Sequence, residues 1–116
     1  MKDCIFCKIV AGEIPSDIVY DDTHVLAFRD IAPLTPKHIL VIPKIHCRSA
    51  KDSKCTPEVF SQICQAVQKI TSQENIEEFR LVTNIGEQGG QTVFHLHLHI
   101  LAGREMAEGA LASGLN

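Results

Sequence analysis

The sequence predicts an α+β domain in which a five-stranded antiparallel sheet is accompanied by one long and one short helix. Two observations lead to this prediction: one long amphipathic segment, and five short β-prone segments that are joined mostly by short links. The chain has 116 residues, of which 45% are hydrophobic. This length and composition are those of one folded domain spanning residues 1–116.

The first part of the chain is predicted to form a short helix followed by three strands. Apolar residues recur at helical spacing between residues 4 and 11, and Gly12 indicates a helix end. Residues 18–20 and 25–29 are β-prone and flank an acidic turn, which predicts a hairpin. Residues 38–42 are rich in β-branched side chains and predict a buried strand that Pro43 ends.

The second part is predicted to form a long helix and two strands. Thr56 is suited to cap a helix, Pro57 suits its first position, and apolar residues recur every three or four positions as far as Ile70. This pattern predicts a helix over residues 57–73. Residues 79–83 and 93–102 complete the sheet as two strands, joined by a glycine-rich connection at residues 86–90.

Charge and cysteine content exclude several classes of protein. The net charge is −3, with 11 basic and 14 acidic residues, and no basic run indicates binding to nucleic acid or to a membrane surface. The longest aliphatic run is residues 39–42, and no apolar leader follows Met1, so a cytoplasmic protein is expected. Five cysteines in a reducing compartment are expected to be thiols or metal ligands. Cys47, Cys55 and Cys64 are expected to be bystanders, with Cys64 on the buried side of the long helix.

Three histidines alternate with leucines in the last predicted strand. His95, His97 and His99 should therefore share one face, while the intervening apolar side chains pack on the other. Three interpretations of this histidine face are possible: a solvated edge face, a metal-dependent catalytic site, or covalent attack on phosphorus by a neutral imidazole. The metal alternative lacks a carboxylate nearby in the sequence. Imidazole has a large neutral fraction at pH 7, which favours the attack on phosphorus.

The segment that precedes the histidines supports a phosphate site. Glycines at residues 86, 89 and 90 permit backbone conformations in which successive N–H groups point at an anion. A flexible hairpin loop is the alternative interpretation of this segment. His38 begins one apolar strand and Asn84 follows another, so both side chains could face the same pocket as the histidines.

The run His95-Leu96-His97-Leu98-His99-Ile100-Leu101 resembles the signature of the histidine triad (HIT) family. Nearly the whole chain resembles the nucleotide-binding, phosphoramidase-like branch of that family. This resemblance rests on Glu13-Ile14-Pro15, Leu26-Ala27-Phe28-Arg29-Asp30-Ile31, Pro36-Lys37-His38, Val41-Ile42-Pro43-Lys44, Gly89-Gly90-Gln91 and Ala102-Gly103-Arg104. It implies a homodimer whose two sheets join into one, with a purine nucleotide site on each subunit.

The resemblance also implies a reaction and a role for each site residue. His97 would take the nucleotidyl group from a 5′-phosphoramidate, and water would then release AMP or GMP, with no cofactor for catalysis. Asp30 would bind the ribose hydroxyls, and His38 would belong to a proton relay. The phosphate would be held by His99, Asn84, Thr92 and the backbone around Gly90 and Gln91. The base would be enclosed by Phe6, Ile9, Phe28, Ile31 and Leu40, for which a purely structural core role is the alternative.

Two features differ from the family pattern. Thr92 stands where serine is common in this branch, which keeps the hydroxyl and adds a methyl group. The tail from residue 107 onward lacks tryptophan, so no role in leaving-group specificity is carried over to it.

The Cys4-x-x-Cys7 spacing alone fits a zinc site, a redox pair or two incidental thiols. Some relatives complete a structural zinc site with the residues that correspond to His46 and His95.

Two other functions are kept as alternatives to phosphoramidate hydrolysis. One is the hydrolysis of dinucleoside polyphosphates, which would use the same covalent chemistry on a different substrate. The other is a zinc-stabilised nucleotide sensor or partner-binding dimer in which catalysis is vestigial. The presence of His97 argues against the sensor.

Overall fold

A computed structural model describes residues 3–107 and 114–115 of the chain. Its described residues form a five-stranded antiparallel sheet in the order β1-β2-β3-β5-β4, with one long and one short helix. The predicted fold class is confirmed. In chain order the elements are α1 (Ile5–Val10), β1 (Ile18–Asp21), β2 (Val25–Arg29), β3 (Lys37–Pro43), α2 (Pro57–Gln73), β4 (Arg80–Val82), a 3₁₀ turn (Glu87–Gly89) and β5 (Leu98–Ala102).

The long helix begins as its sequence predicts, but one residue predicted to be buried is not. The Thr56 side chain accepts a hydrogen bond from the Val59 N–H at 3.3 Å, and Pro57 occupies the first turn. Cys64 is exposed, so its predicted place on the buried side of the helix is wrong. It follows the fully buried Ile63 and therefore points about 100° away from it around the helix axis. The buried side chains of α2 are Val59, Ile63, Ala66, Val67, Ile70 and Thr71.

The sheet separates two apolar clusters by strict alternation. In β2 and β3 the odd-numbered apolar residues pack with α2, whereas the even-numbered ones pack with α1. Val25, Ala27, Ile39 and Val41 thus lie on one face. The cluster on the other face, called here the α1 cluster, comprises Phe6, Ile9, Leu26, Phe28, Leu40 and Ile42.

The last strand is shorter than the predicted residues 93–102. Ladder pairing covers only Leu98–Ala102, between β3 and β4. The backbone just before β5 is held in other ways: the Leu96 N–H donates to the Cys47 carbonyl at 2.8 Å, and the Thr83 hydroxyl donates to the His97 carbonyl at 2.8 Å. His95 and His97 therefore lie in the irregular segment that leads into β5, with a bend at His95, rather than in the ladder.

The expectation that no cysteines pair is wrong for Cys47 and Cys55, which form a disulfide. The connection between β3 and α2 folds back on itself and brings their Cα atoms to 5.5 Å, within the usual range for a disulfide. Both residues are buried in the cluster under α2. A spacing of eight residues carries no sequence signal for this fold-back.

Two further expectations concern membranes and the tail. Within the described residues no helix is long and apolar enough to cross a membrane. Most of the tail, residues 108–113 and 116, lies outside the described part of the chain. Leu115 is described, and it is buried.

Candidate functional site

The three histidines of the triad are buried side by side. Their exposed fractions are 0%, 2% and 0% for His95, His97 and His99, which excludes the solvated edge face. The intervening Leu96 and Leu98 pack with the cluster under α2, as the alternation predicts. Together with its neighbours the triad forms a row of imidazoles, with His46 beside His95 at one end and His38 beside His99 at the other.

One ring nitrogen of His97 is fixed by the backbone. His97 Nδ1 lies 2.6 Å from the His95 carbonyl oxygen, so Nδ1 carries the proton and donates it. The lone pair of the neutral ring is then on Nε2. The Thr83 hydroxyl holds the His97 carbonyl, and the Phe6 ring lies 5.0 Å away, nearly perpendicular to the imidazole. These contacts orient His97 with a nucleophilic nitrogen.

The tautomer of His99 is fixed through His38. The Leu34 N–H donates to His38 Nδ1 at 3.1 Å, so a neutral His38 carries its proton on Nε2. That nitrogen lies 2.9 Å from His99 Nδ1, to which it donates. A neutral His99 therefore carries its proton on Nε2, which is buried and has no acceptor among the described residues. The His97 and His99 rings are 5.1 Å apart, so a nitrogen lone pair and an N–H donor lie in neighbouring rings.

Burial keeps this part of the row neutral. It lowers the pKa of His99 to about 3, with the charges of His97 and His38 adding to the effect. Burial also lowers the pKa of His38, although the negative charge of Asp30 opposes it. Neutral imidazoles are the form that can attack phosphorus or donate a hydrogen bond without holding a positive charge in the apolar interior.

A carboxylate does lie near the triad, contrary to the argument from sequence. Asp30 Oδ2 is 3.4 Å from His38 Nε2, while Oδ1 accepts from the Ala32 N–H at 2.8 Å. Asp30 follows β2 directly and its N–H donates to the His38 carbonyl at 3.0 Å. Strand pairing thus joins residues that are distant in sequence.

Asp30, His38 and His99 offer three ligand atoms within 4.8 Å of one another. However, the Leu34 amide is a permanent donor to His38 Nδ1, so His38 Nε2 must keep its proton for the ring to be neutral. A metal on that nitrogen would require an imidazolate or a broken hydrogen bond. The geometry therefore favours a hydrogen-bonded relay over a metal-dependent catalytic centre.

Four residues at the other end of the row fit a structural metal site. Cys4 Sγ and Cys7 Sγ lie 3.3 and 3.5 Å from His95 Nδ1, and Cys7 Sγ lies 3.3 Å from His46 Nδ1. A tetrahedral zinc ion with ordinary bond lengths separates its sulfur and nitrogen ligands by roughly 3.5 Å. His95 Nε2 donates to the Pro43 carbonyl at 2.8 Å, which directs the lone pair of Nδ1 to the thiols.

The protonation of these four residues also fits a metal. Burial lowers the pKa of His95 to about 4 and lowers that of His46, so both rings are available as neutral ligands. Burial raises the pKa of the Cys7 thiol, whose proton a metal ion would displace. The Cys4, Cys7, His46 and His95 cluster is therefore chemically suited to zinc, and it leaves His97 outside the ligand set.

The residues predicted to enclose a base divide into two groups. Phe6, Ile9, Phe28 and Leu40 are buried in the α1 cluster, where the Phe6 and Phe28 rings meet edge-on at 5.5 Å. These four residues therefore have the structural core role that was the alternative to enclosing a base. The cluster nevertheless reaches the site, because Phe6 contacts His97. Ile31 is 99% exposed, so it encloses nothing in this structure, and its contact with a base stays a prediction.

The glycine-rich connection is neither an open cradle nor a loose loop. The N–H groups of Gly90 and Gln91 donate to the carbonyls of Glu87 and Gly86, both at 3.0 Å. These amides would have to change partners to hold a phosphate, so the role predicted for Gly90 and Gln91 is not supported by this geometry. Gly86 and Gly90 have φ values of +76° and +93°, which explains the need for glycine.

The buried Gln91 side chain holds this connection in place. Its Oε1 accepts from the Gly86 N–H at 2.9 Å, and its Nε2 donates to the carbonyls of Arg48 and Val93 at 2.8 and 3.0 Å. Sequence reasoning missed this role, as it missed those of Thr83 and the Leu34 amide. Each acts through backbone groups, which leave no signal in the sequence.

The other predicted phosphate ligands lie around the row. The Asn84 side-chain amide donates to the Leu115 carbonyl at 3.3 Å, so the end of the chain contacts this residue. Thr92 is exposed and lines a cavity together with Cys4 and His46. The structure thus brings His38, Asp30 and the triad together, and it places Thr92 in a cavity wall with Cys4 and His46.

Comparisons with known proteins identify the family of the chain. The profile of the HIT domain matches residues 11–106. The chain is 43% identical over 117 residues to the purine nucleoside phosphoramidase of Escherichia coli K12, covering 98% of each chain. It is 43% identical over 108 residues to a 14 kDa zinc-binding protein of Brassica juncea, covering 90% of this chain and 96% of that one.

A solved structure agrees with the fold as well. The HIT family hydrolase of Legionella pneumophila superposes with a TM-score of 0.86 at 42% identity, covering 92% of this chain and 98% of the other. Sequence profile, near full-length relatives and fold therefore point the same way, and the chain belongs to the HIT family.

Proposed function

We propose that this HIT protein is a hydrolase that releases a purine nucleoside monophosphate from 5′-phosphoramidates through a nucleotidyl-His97 intermediate. The observation that carries the proposal is the pair of fixed tautomers, which puts a lone pair on His97 Nε2 and an N–H on His99 Nε2, in rings whose centres are 5.1 Å apart. The first is a nucleophile and the second is a donor for a phosphate oxygen. The similarity to the Escherichia coli phosphoramidase supports the choice of substrate.

In the first step His97 Nε2 forms a bond to phosphorus and the bond between phosphorus and the amine nitrogen breaks. The amine takes up a proton from the solvent as it leaves, and the water that attacks in the second step returns a proton to the solvent. His97 Nδ1 keeps its proton and donates it in a hydrogen bond to the His95 carbonyl oxygen. The partial negative charge of that oxygen stabilises the positive charge that develops on the ring. Water then attacks phosphorus, the bond to His97 breaks, and the nucleoside monophosphate is released.

The remaining site residues are assigned to the parts of the nucleotide. Asp30 would accept hydrogen bonds from the ribose hydroxyls, since its Oδ2 points towards the row. His38 would pass protons between Asp30 and His99, because its Nε2 lies close to both. Asn84 and Thr92 would contact the phosphate, and the α1 cluster would lie against the base.

We further propose a homodimer and a structural zinc ion. Strand β4 lies at an edge of the sheet, and an edge strand is suited to pair with the same strand of a second copy. Leu81 on this strand is exposed and would be covered in such a dimer. Cys4, Cys7, His46 and His95 would hold zinc, which would tie α1 to the connection after β3. The name of the Brassica juncea relative supports the metal. Bound there, zinc would stabilise the fold and leave the chemistry to His97.

The proposal is tested by AMP release from adenosine 5′-phosphoramidate under metal-chelating conditions. Wild type should release AMP, and His97→Ala should not, whereas the exposed His24→Gln should behave as wild type. Equal turnover by wild type and His97→Ala would contradict the mechanism. Tight nucleotide binding without turnover of phosphoramidates or dinucleoside polyphosphates would favour the sensor.

A further inference from the structure

A cavity of about 360 Å³ lies at the His46 end of the histidine row. It is called the Arg48 cavity here, and its lining includes Asp3, His46, Arg48, Thr92 and Phe94. Its volume lies within the range of small-molecule sites. Neither the proposed nucleoside contacts nor the proposed relay uses Asp3, Arg48 or Phe94.

The guanidinium of the exposed residue Arg48 lies at the wall of this cavity. It lies 4.1 Å from the centre of the Phe94 ring, in a cation–π arrangement. The backbone of Arg48 is fixed on both sides, since its N–H donates to Asp52 Oδ2 and its carbonyl accepts from Gln91 Nε2, both at 2.8 Å. Within residues 3–107 and 114–115 no carboxylate forms an ion pair with Arg48. A preorganised cation is thus available to a ligand.

The row of imidazoles gives this cavity its place in the reaction. Asp30 and His38 lie at one end of the row, where the nucleoside is proposed to bind, and His46 and the cavity lie at the other. His97 lies between the two ends. The link to the reaction is Thr92, which is proposed to contact the phosphate and also lines the Arg48 cavity. A phosphorus atom at His97 would have its nucleoside towards Asp30 and its leaving group towards Arg48.

We propose that the Arg48 cavity is the leaving-group subsite, and that Arg48 makes the enzyme prefer amines that carry a carboxylate. This inference rests on the proposed function and names the class of amine that it releases. A guanidinium recognises a carboxylate by charge and by paired N–H donors. Asp3 lies on the wall of the same cavity and opposes the preference, since its negative charge repels a carboxylate.

The test compares two adenosine 5′-phosphoramidates that differ only in charge, one made from β-alanine and one from β-alaninamide. Exposed ion pairs change binding by about 1.5- to fivefold, so wild type should prefer the carboxylate by about fivefold in kcat/KM. In Arg48→Gln this ratio should fall to about one. Asp3→Asn should raise the ratio by about twofold. Lys51→Gln, an exposed change in the same connection, should keep the wild-type ratio.

The proposed subsite would be contradicted if wild type had the same kcat/KM for both compounds, or if the ratio of the two kcat/KM values were the same in wild type and Arg48→Gln. Absence of turnover for both compounds would refute the proposed function instead. Calorimetric binding of both compounds to His97→Ala then decides the subsite separately. Tighter binding of the carboxylate, lost when Arg48→Gln is added, would support it, and equal affinities would overturn it.

Discussion

The neutral state of His99 predicts a specific loss of stability in acid. Burial lowers its pKa to about 3 in the folded chain, against about 6.5 for an unfolded histidine. The unfolded chain therefore binds an additional proton between these values, so the contribution to stability is complete above pH 6.5 and is lost as the pH falls towards 3. At pH 5 the loss from this residue is about 2 kcal/mol, at 1.36 kcal/mol per unit of pKa.

Urea unfolding at pH 7.5 and pH 5.0, with a chelator present, measures this loss. Wild type should lose about 2 kcal/mol more free energy of unfolding than His99→Gln, which has no imidazole to protonate. His24→Gln, an exposed change, should lose as much as wild type. The NMR shifts of the His99 ring in the folded protein should stay constant down to pH 5. Parallel losses in wild type and His99→Gln, or a His99 ring that titrates near pH 6.5, would refute the buried neutral imidazole.

Three further predictions concern the metal, the ribose and the disulfide. Zinc at 100 times its Kd should raise the free energy of unfolding by about 2.7 kcal/mol. The increase should appear as a higher Tm, which a chelator reverses and which Cys7→Ser should abolish. Asp30→Asn should weaken AMP binding roughly tenfold in calorimetry, since a charged hydrogen-bond acceptor is lost, while the Tm changes little. Replacement of Cys47 and Cys55 together by serine should lower the free energy of unfolding in urea by roughly 2.5 kcal/mol, because a short loop is no longer closed; an unchanged midpoint would contradict the pairing.

The elements with strong periodicity were predictable from the sequence. The helix over residues 57–73 has a cap, a first-turn proline and a continuous apolar stripe, and the structure reproduces its bounds. The last strand was overestimated because the alternation of His95, Leu96 and His97 continues beyond the ladder. Alternation reports which side chains face the core, but it does not report whether the backbone finds a partner strand.

The site was predictable where residue type alone decides its chemistry. The Cys4, Cys7, His46 and His95 group comes together as the family resemblance implied. The tautomers of the row, in contrast, depend on the Leu34 amide and the His95 carbonyl, and every residue type carries such backbone groups. The anion cradle stays a prediction, since the N–H groups of Gly89, Gly90 and Gln91 donate to carbonyls within the connection, which is another backbone arrangement that the sequence does not reveal.

The proposed mechanism requires that His97 becomes covalently bonded to phosphorus. The direct measurement is mass spectrometry of protein quenched during turnover of adenosine 5′-phosphoramidate, with the modified residue located by peptide mapping under conditions that preserve phosphorus–nitrogen bonds. We expect one adenylyl group on His97 in wild type and none in His97→Ala. An adenylyl group on another histidine, or turnover by His97→Ala at the wild-type rate, would contradict it.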